Sequence, residues 1–290
     1  MNSGWGGMMA FTLSDRRRGA RMYAPDEGRW KGGDALAEKY YAISPFAYVA
    51  NNPLLFTDPN GEEIWVVFSE VVRDENGEVM EREGKPVTQN FRYMYDGEKL
   101  VDEDGNEYMG TKDFAVNALK ALNHLKASGA SEIVFGEGES AKTIDIIDEL
   151  MKTGEEVQIS YKSGIAESAD MGGRLIIIGF DPSQGIDFLK DYSKMFPTTE
   201  DRGRNSATAR LGHELIHAYN RIFDYDAYMA RHEEKYDKTV FPFFPNAEEK
   251  MTTLNWGNQI NRKLGEDERT NYRRIAFPTI SPTSTEKKKE

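Results

Sequence analysis

The 290-residue chain contains four histidines, and three of them lie between positions 213 and 232. Two frame a glutamate in Leu211-Gly212-His213-Glu214-Leu215-Ile216-His217-Ala218, an HExxH spacing. Histidines at i and i+4 of an α-helix stand one turn apart on one face, so both rings reach a single Zn²⁺. The intervening glutamate projects beside the metal, where it can take a proton from a zinc-bound water. At about 100° per residue, His217 falls about 40° and Glu214 about 100° from His213. Leu211, Leu215, Ala218 and Ile222 fall between about 140° and 200°. The predicted helix therefore has an apolar face for a core and a His/Glu face for chemistry.

Two imidazoles leave such a site one protein ligand short. A third histidine six residues on, after an intervening glycine, is one solution, but Phe223 and Asn220 occupy those positions. The candidates are then His232 and the carboxylates Glu248 and Glu249, which follow Phe244-Pro245-Asn246. Pro245-Asn246 reads as a helix start with Asn246 as N-cap. A glutamate brought back by a second helix is a known way to complete a His₂Glu site. The spacing leaves Glu248 and Glu249 both open.

The elements that must position these residues divide the chain into four segments. Residues 1–62 are turn-rich and irregular, with a basic patch at Arg16-Arg17-Arg18 and Arg21. Residues 63–110 predict a small antiparallel meander: β-branched and aromatic residues run from Ile64 to Val72, Phe91, Tyr93 and Tyr95 alternate, and Asn76-Gly77, Asp96-Gly97 and Asp104-Gly105 supply turns. In 111–277, Phe114, Ala115, Ala118, Leu119, Leu122 and Leu125 predict a helix ended by Gly129. A second helix is expected from Ser140 as N-cap through Ile144, Ile147 and Met151 to Gly154 at the C-cap. Val157, Ile159 and Tyr161 read as a strand, and Leu175–Phe180 as a buried one that could receive an extended substrate by β-addition. The Pro/Ser/Thr-rich stretch 278–290 is expected to be a disordered tail. The fold class is α+β.

Composition limits the function. Net charge is −12, which argues against a broad nucleic-acid surface. Without cysteine there is no disulfide, thiolate metal site or thiol nucleophile. No apolar run reaches membrane-spanning length, so stable membrane insertion is not expected. No secretory signal peptide is visible, so export would use another route or the chain is a piece of something larger.

Two family resemblances cover different parts of the sequence. Residues 19–61 contain Gly-Ala-Arg-Met-Tyr-Ala-Pro-Asp-Glu-Gly-Arg-Trp, then Ser44-Pro45-Phe46-Ala47-Tyr48-Val49-Ala50-Asn51-Asn52-Pro53 and Asp58-Pro59-Asn60-Gly61. This resembles the RHS-repeat-associated core, found at the end of very large bacterial shell proteins ahead of a variable toxin. The resemblance implies an RHS shell as partner and aspartate-dependent autoprocessing, with Asp34 and Asp58 as the acids. From about 205 to 274, the HExxH helix, Glu248-Glu249-Lys250-Met251-Thr252 and Asn258-Gln259-Ile260-Asn261-Arg262 are similar to NleD-like effector zinc metallopeptidases. That resemblance implies a zincin-like domain with His213 and His217 as ligands, Glu248 or Glu249 as the third, and Glu214 as catalytic acid/base. A toxin belongs directly behind an RHS core, so the order of the two is consistent.

The function expected is zinc-dependent proteolysis by a secreted or delivered effector, acting on protein in a target cell and paired with a cognate immunity protein. Tyr219, His232, Arg262 and Tyr272 are the candidate oxyanion donors. Rival classes are a shell plug or binding module with a structural metal, and a toxin tip acting on nucleic acid.

Overall fold

Apolar residues at every second position of three segments meet on neighbouring strands, as a half-buried pleated surface requires. The structure, a computed structural model, describes residues 63–289 other than 75, 154, 165–166, 171–174 and 192–196, together with three short strands before residue 31. The chain divides into two compact units, Met1–Gly61 and Glu62–Glu290. In the first, Arg16–Arg18 (β1), Arg21–Ala24 (β2) and Arg29–Trp30 (β3) form an antiparallel sheet, with Tyr23 opposite both Arg16 and Trp30. A stretch expected to be irregular thus contains paired strands, begun by the triple-arginine run. Asp34 and Asp58 lie outside the described residues.

The second unit begins with Glu63–Val71 (β4), Glu81–Arg82 (β5), Lys85–Pro86 (β6), Thr88–Tyr95 (β7) and Leu100–Val101 (β8), and then the helix Asp113–Ala127 (α1). Glu132–Phe135 (β9), Lys142–Asp145 (β10), a short helix Ile146–Leu150 (α2), Glu156–Tyr161 (β11), Glu167–Asp170 (β12), Leu175–Phe180 (β13), Gln184–Leu189 (β14) and Arg202–Asn205 (β15) follow. Ala207–Phe223 (α3), Tyr225–Glu233 (α4), Ala247–Met251 (α5), a π-helical stretch Thr252–Gly257, Asn258–Leu264 (α6) and Ile275–Pro278 (β16) complete it.

Six strands form one sheet in the order β12-β13-β11-β4-β7-β8. Strand β11 runs parallel to both β13 and β4, so Ile64, Val157 and Ile176 stand in one row and Val66, Ile159 and Ile178 in the next. These rows pack against Phe114, Ala118, Leu122 and Leu125 of α1 and Leu211, Leu215 and Ala218 of α3, all in one buried core. Burying each such side chain contributes about 1.5–3 kcal/mol. A smaller antiparallel sheet, β15-β14-β16, leads directly into α3.

Four further expectations change. Residues 63–110 hold the expected antiparallel run, β4 with β7 and β7 with β8, but it is not separate, because β4 also pairs with β11 inside the six-stranded sheet. The helix expected from Ser140 is replaced by a 3-10 turn at Gly138–Ser140, by β10 and by α2. Thr143 and Ile144 pair with Val134 and Ile133 instead, and the helix starts at Asp145, whose carboxylate accepts from the Ile147 and Asp148 amides. Strand β13 has partners on both sides, so it offers no edge for β-addition. The tail 279–289 is packed: Thr208 donates both its amide and its hydroxyl to the Pro282 carbonyl at 2.9 Å, and Thr279 bridges to Lys287. Among the described residues no helix is long and apolar enough to cross a membrane.

Candidate metal centre

The helix carrying the HExxH pattern is anchored at its first turn. Ser206 caps α3 by accepting from the Ala209 amide at 3.2 Å. The Ser206 amide in turn donates to Glu266 Oε2 at 2.9 Å. Gly212 permits close packing, since a Cβ there would lie 2.7 Å from Ile260 Cδ1 of α6 and 3.1 Å from Leu125 Cδ2 of α1. The face opposite the core is itself covered, by α5 and the π-helical stretch, and π-turns within helices recur at functional sites. Gly257 ends that stretch against His213: an added Cβ would sit 2.9 Å from the Thr252 carbonyl oxygen and 3.4 Å from His213 Nδ1.

Helix α5 is capped by Asn246, whose Oδ1 accepts from the Glu249 amide at 2.8 Å. That cap aims the two glutamates differently. Glu249 reaches the imidazole pair, with Oε2 3.3 Å from His213 Nε2 and Oε1 3.5 Å from His217 Nε2. The two Nε2 atoms are 3.2 Å apart. A tetrahedral zinc with bonds of about 2.0–2.1 Å separates neighbouring ligand atoms by about 3.3 Å, so this triangle fits a single cation. Two imidazole lone pairs facing each other and a carboxylate need a proton or a cation between them. His213, His217 and Glu249 are the three residues that could hold a metal among those described.

Glu248 stands behind the triangle, almost fully buried at 1% exposure. Its Oε1 is 3.2 Å from His217 Nδ1 and accepts from Asn220 Nδ2 at 2.9 Å and Thr252 Oγ1 at 3.1 Å. Arg231 Nε donates to its Oε2. Burial alone would raise this carboxyl, but the bonds from His217, Arg231 and Asn220 hold it down, at about 2. An ionised Glu248 fixes Nδ1–H on His217 and turns its Nε2 lone pair to the triangle. Burial lowers His213 to about 4, favouring the neutral ring a metal requires. At His217, burial also pushes the pKa down, but Glu249 and Glu248 outweigh it and raise it well above 6.5. A proton and a cation therefore compete for one lone pair.

Glu214 is 7% exposed and lines the same cavity as His213. The remaining candidates separate. His232 stacks on Tyr228 with ring centroids 5.9 Å apart, outside the triangle. Tyr219 packs on Phe135 and Phe223, and Arg262 pairs with Glu268 at 2.8 Å. Tyr272 lines a wider cavity with Arg274; burial first, then the charge of Glu249, raises its hydroxyl pKa, with Arg274 opposing. Its oxygen accepts from Arg274 Nη2 at 3.3 Å.

Sequence reasoning missed Asn220 and Arg231, which hold Glu248, and Arg210, which lines the cavity. Helical spacing carries a signal for two of them. Asn220 lies three residues after His217 and Arg210 three before His213, so both share the metal-facing side.

No family model, curated protein or solved structure matches this chain.

Proposed function

We propose that the chain is a zinc-dependent metalloendopeptidase acting as the effector part of an RHS-type polymorphic toxin. The observation that carries the reading is the convergence of His213 Nε2, His217 Nε2 and Glu249 within 3.2–3.5 Å of one another, beside Glu214. His213, His217 and Glu249 would hold the ion; Zn²⁺ there would supply Lewis acidity, lowering the pKa of water and polarising a carbonyl. Structural zinc sites are closed by four protein ligands. Among the described residues three converge, with His232 turned away, and this favours catalysis over a structural metal.

The chain's own residues divide the work. Glu214 takes the proton that water gives up on attacking the scissile carbonyl and passes it to the departing amine. The products are a carboxylic acid and an amine. Tyr272, whose hydroxyl oxygen accepts from Arg274, would donate its proton to the carbonyl oxygen as charge develops there. Glu248, with Asn220, Thr252 and Arg231, holds His217 in the required tautomer. The RHS-like motif order in residues 19–61 supports delivery into a target cell from a shell, with a cognate immunity protein as partner.

The test is metal analysis with proteomic cleavage profiling of wild type and Glu214→Gln. Stoichiometric zinc in both and new protein termini only in wild type are expected. Equal cleavage by the variant would remove Glu214 from its role, and zinc-free protein with unchanged cleavage would end the reading.

A further inference from the structure

Beside the metal triangle lies a small cavity lined by His213, Glu214, Thr253 and three arginines, Arg210, Arg269 and Arg274. The cavity's room is about 20 Å³, enough for one small polar group and too little for a bulky side chain. Arg210 and Arg269 are 5% and 6% exposed. Their partners are neutral: Arg210 donates to the Gln184 and Gly164 carbonyls, and Arg269 Nη2 to the Asn271 and Tyr272 carbonyls. Arg274 lies over the Tyr272 ring at 4.2 Å. Arg274 Nη1 likewise donates to the Tyr272 carbonyl, so among the described residues the hydrogen bonds of all three arginines go to uncharged oxygens rather than to a carboxylate. The buried Arg269 Nε and Thr253 Oγ1 have no hydrogen-bond partner among the described residues.

Burying a guanidinium is costly without a direct ion pair; here Glu214 and Asp181 attract Arg210, and Glu249 attracts Arg269, only from beyond pairing distance, while the neighbouring Arg274 adds repulsion. The acidic chain could have offset these cations directly, since its net charge is −12. Burial, then the charge of Arg274, lowers the pKa of both Arg269 and Arg210, and both remain charged at neutral pH. Arg274 also lines a second, wider cavity of about 490 Å³ with Tyr272, Arg273 and Ile275, with room for part of a peptide.

We infer that Arg210, Arg269 and Arg274 form an anion subsite that receives a carboxylate of the peptide substrate next to the scissile bond. The inference rests on the peptidase reading for the word substrate, and on the arginines alone for the anion. Planar guanidinium donors match a carboxylate's two oxygens, and the small cavity suits that group. Its source is either the terminal carboxylate of a peptide or an Asp or Glu side chain.

Calorimetric titration of the full chain with succinate and with succinamide, before and after chelator treatment, tests the subsite separately from any metal. Succinate should bind in both states, succinamide should not, and Arg269→Gln should weaken succinate at least tenfold. Arg274→Gln, at a half-buried position, should do the same if Arg269→Gln does not fold. Equal affinity for the two probes, or for wild type and Arg274→Gln, would overturn the subsite. Paired peptides, free acid against C-terminal amide and Glu against Gln, identify the source. Cleavage reduced at least tenfold by amidation assigns the terminus, and by Gln the side chain; cleavage indifferent to both overturns the inference. Succinate binding without cleavage of any peptide would keep the anion site and remove the peptidase reading.

Discussion

Glu248 Oε1 lies 3.2 Å from His217 Nδ1, on the side of the ring opposite the metal triangle. A carboxylate in that position orients the ring and makes Nε2 a stronger ligand, and losing such a partner weakens metal affinity by about 10- to 100-fold. Glu248→Gln should therefore bind zinc more weakly by about that factor, while Glu249→Gln, at the proposed third ligand, should lose more. Competition against a chromophoric chelator measures both. The reverse order would exchange the two glutamates' roles.

Glu214 shares the cavity with His213 but stands outside the ligand triangle. Glu214→Gln should retain stoichiometric zinc and lose about 10²–10⁴-fold in peptide hydrolysis, the contribution of a positioned acid/base. Zinc added to metal-free wild type should raise its Tm, as should zinc added to the variant, because a ligand at 100 times its Kd contributes about 2.7 kcal/mol. A variant that loses both zinc and activity would make Glu214 a ligand.

The HExxH helix was legible because its two faces follow directly from 3.6-residue periodicity, and so was α1, from Phe114 through Leu125. Asn246 was legible as a cap for the same local reason. Choosing between Glu248 and Glu249 was not. Neighbours on a helix point about 100° apart, and which one meets the imidazoles depends on how α5 lies against α3, a long-range fact. The parallel pairing of β4 with β11 joins residues nearly a hundred positions apart, so the 63–110 segment looked self-contained. Ile144 and Ile147 fit a helical spacing as well as a strand leading into a helix, and only the pairing of Ile144 with Ile133 decides.

Gly257 meets the ring of His213 from the π-helical stretch. With a Cβ 2.9 Å from the Thr252 carbonyl oxygen, Gly257→Ala must shift backbone, and overpacking of this kind costs about 1–3 kcal/mol. The variant should unfold at lower temperature and bind zinc at least tenfold more weakly, read by the same chelator competition. Wild-type affinity would show that the π-turn does not set the position of His213.

Glu266 supports the start of α3 through the Ser206 amide. Burial, and to a lesser degree Asp267, raises its pKa from 4.5 to about 7 despite hydrogen bonds from Ser206 and Asn205. A carboxyl raised in the folded state holds more protons folded than unfolded between these values. The stability it contributes is present below pH 4.5 and lost as pH rises through 7. Glutamine mimics the protonated form, so Tm of Glu266→Gln should exceed that of wild type increasingly from pH 5 to pH 8. A constant gap across that range would mean that Glu266 does not titrate there.

Thr208 sits in the first turn of α3, fully buried, where an amide has no partner within the helix. The tail supplies one: the Pro282 carbonyl accepts both the amide and the hydroxyl. Lys287, 3.2 Å from Asp187 Oδ2, adds a charge beside the buried carboxylate that Arg202 also binds. Removing 279–290 strips these partners together, and each buried donor left unsatisfied costs about 1–3 kcal/mol. The shortened chain should show a lower Tm than full length and, because α3 carries both imidazoles, a weaker zinc affinity. Thr208→Val, which deletes only the hydroxyl, should give a smaller Tm loss of the same sign. If truncation leaves both Tm and zinc binding unchanged, the packed tail does not anchor the metal helix.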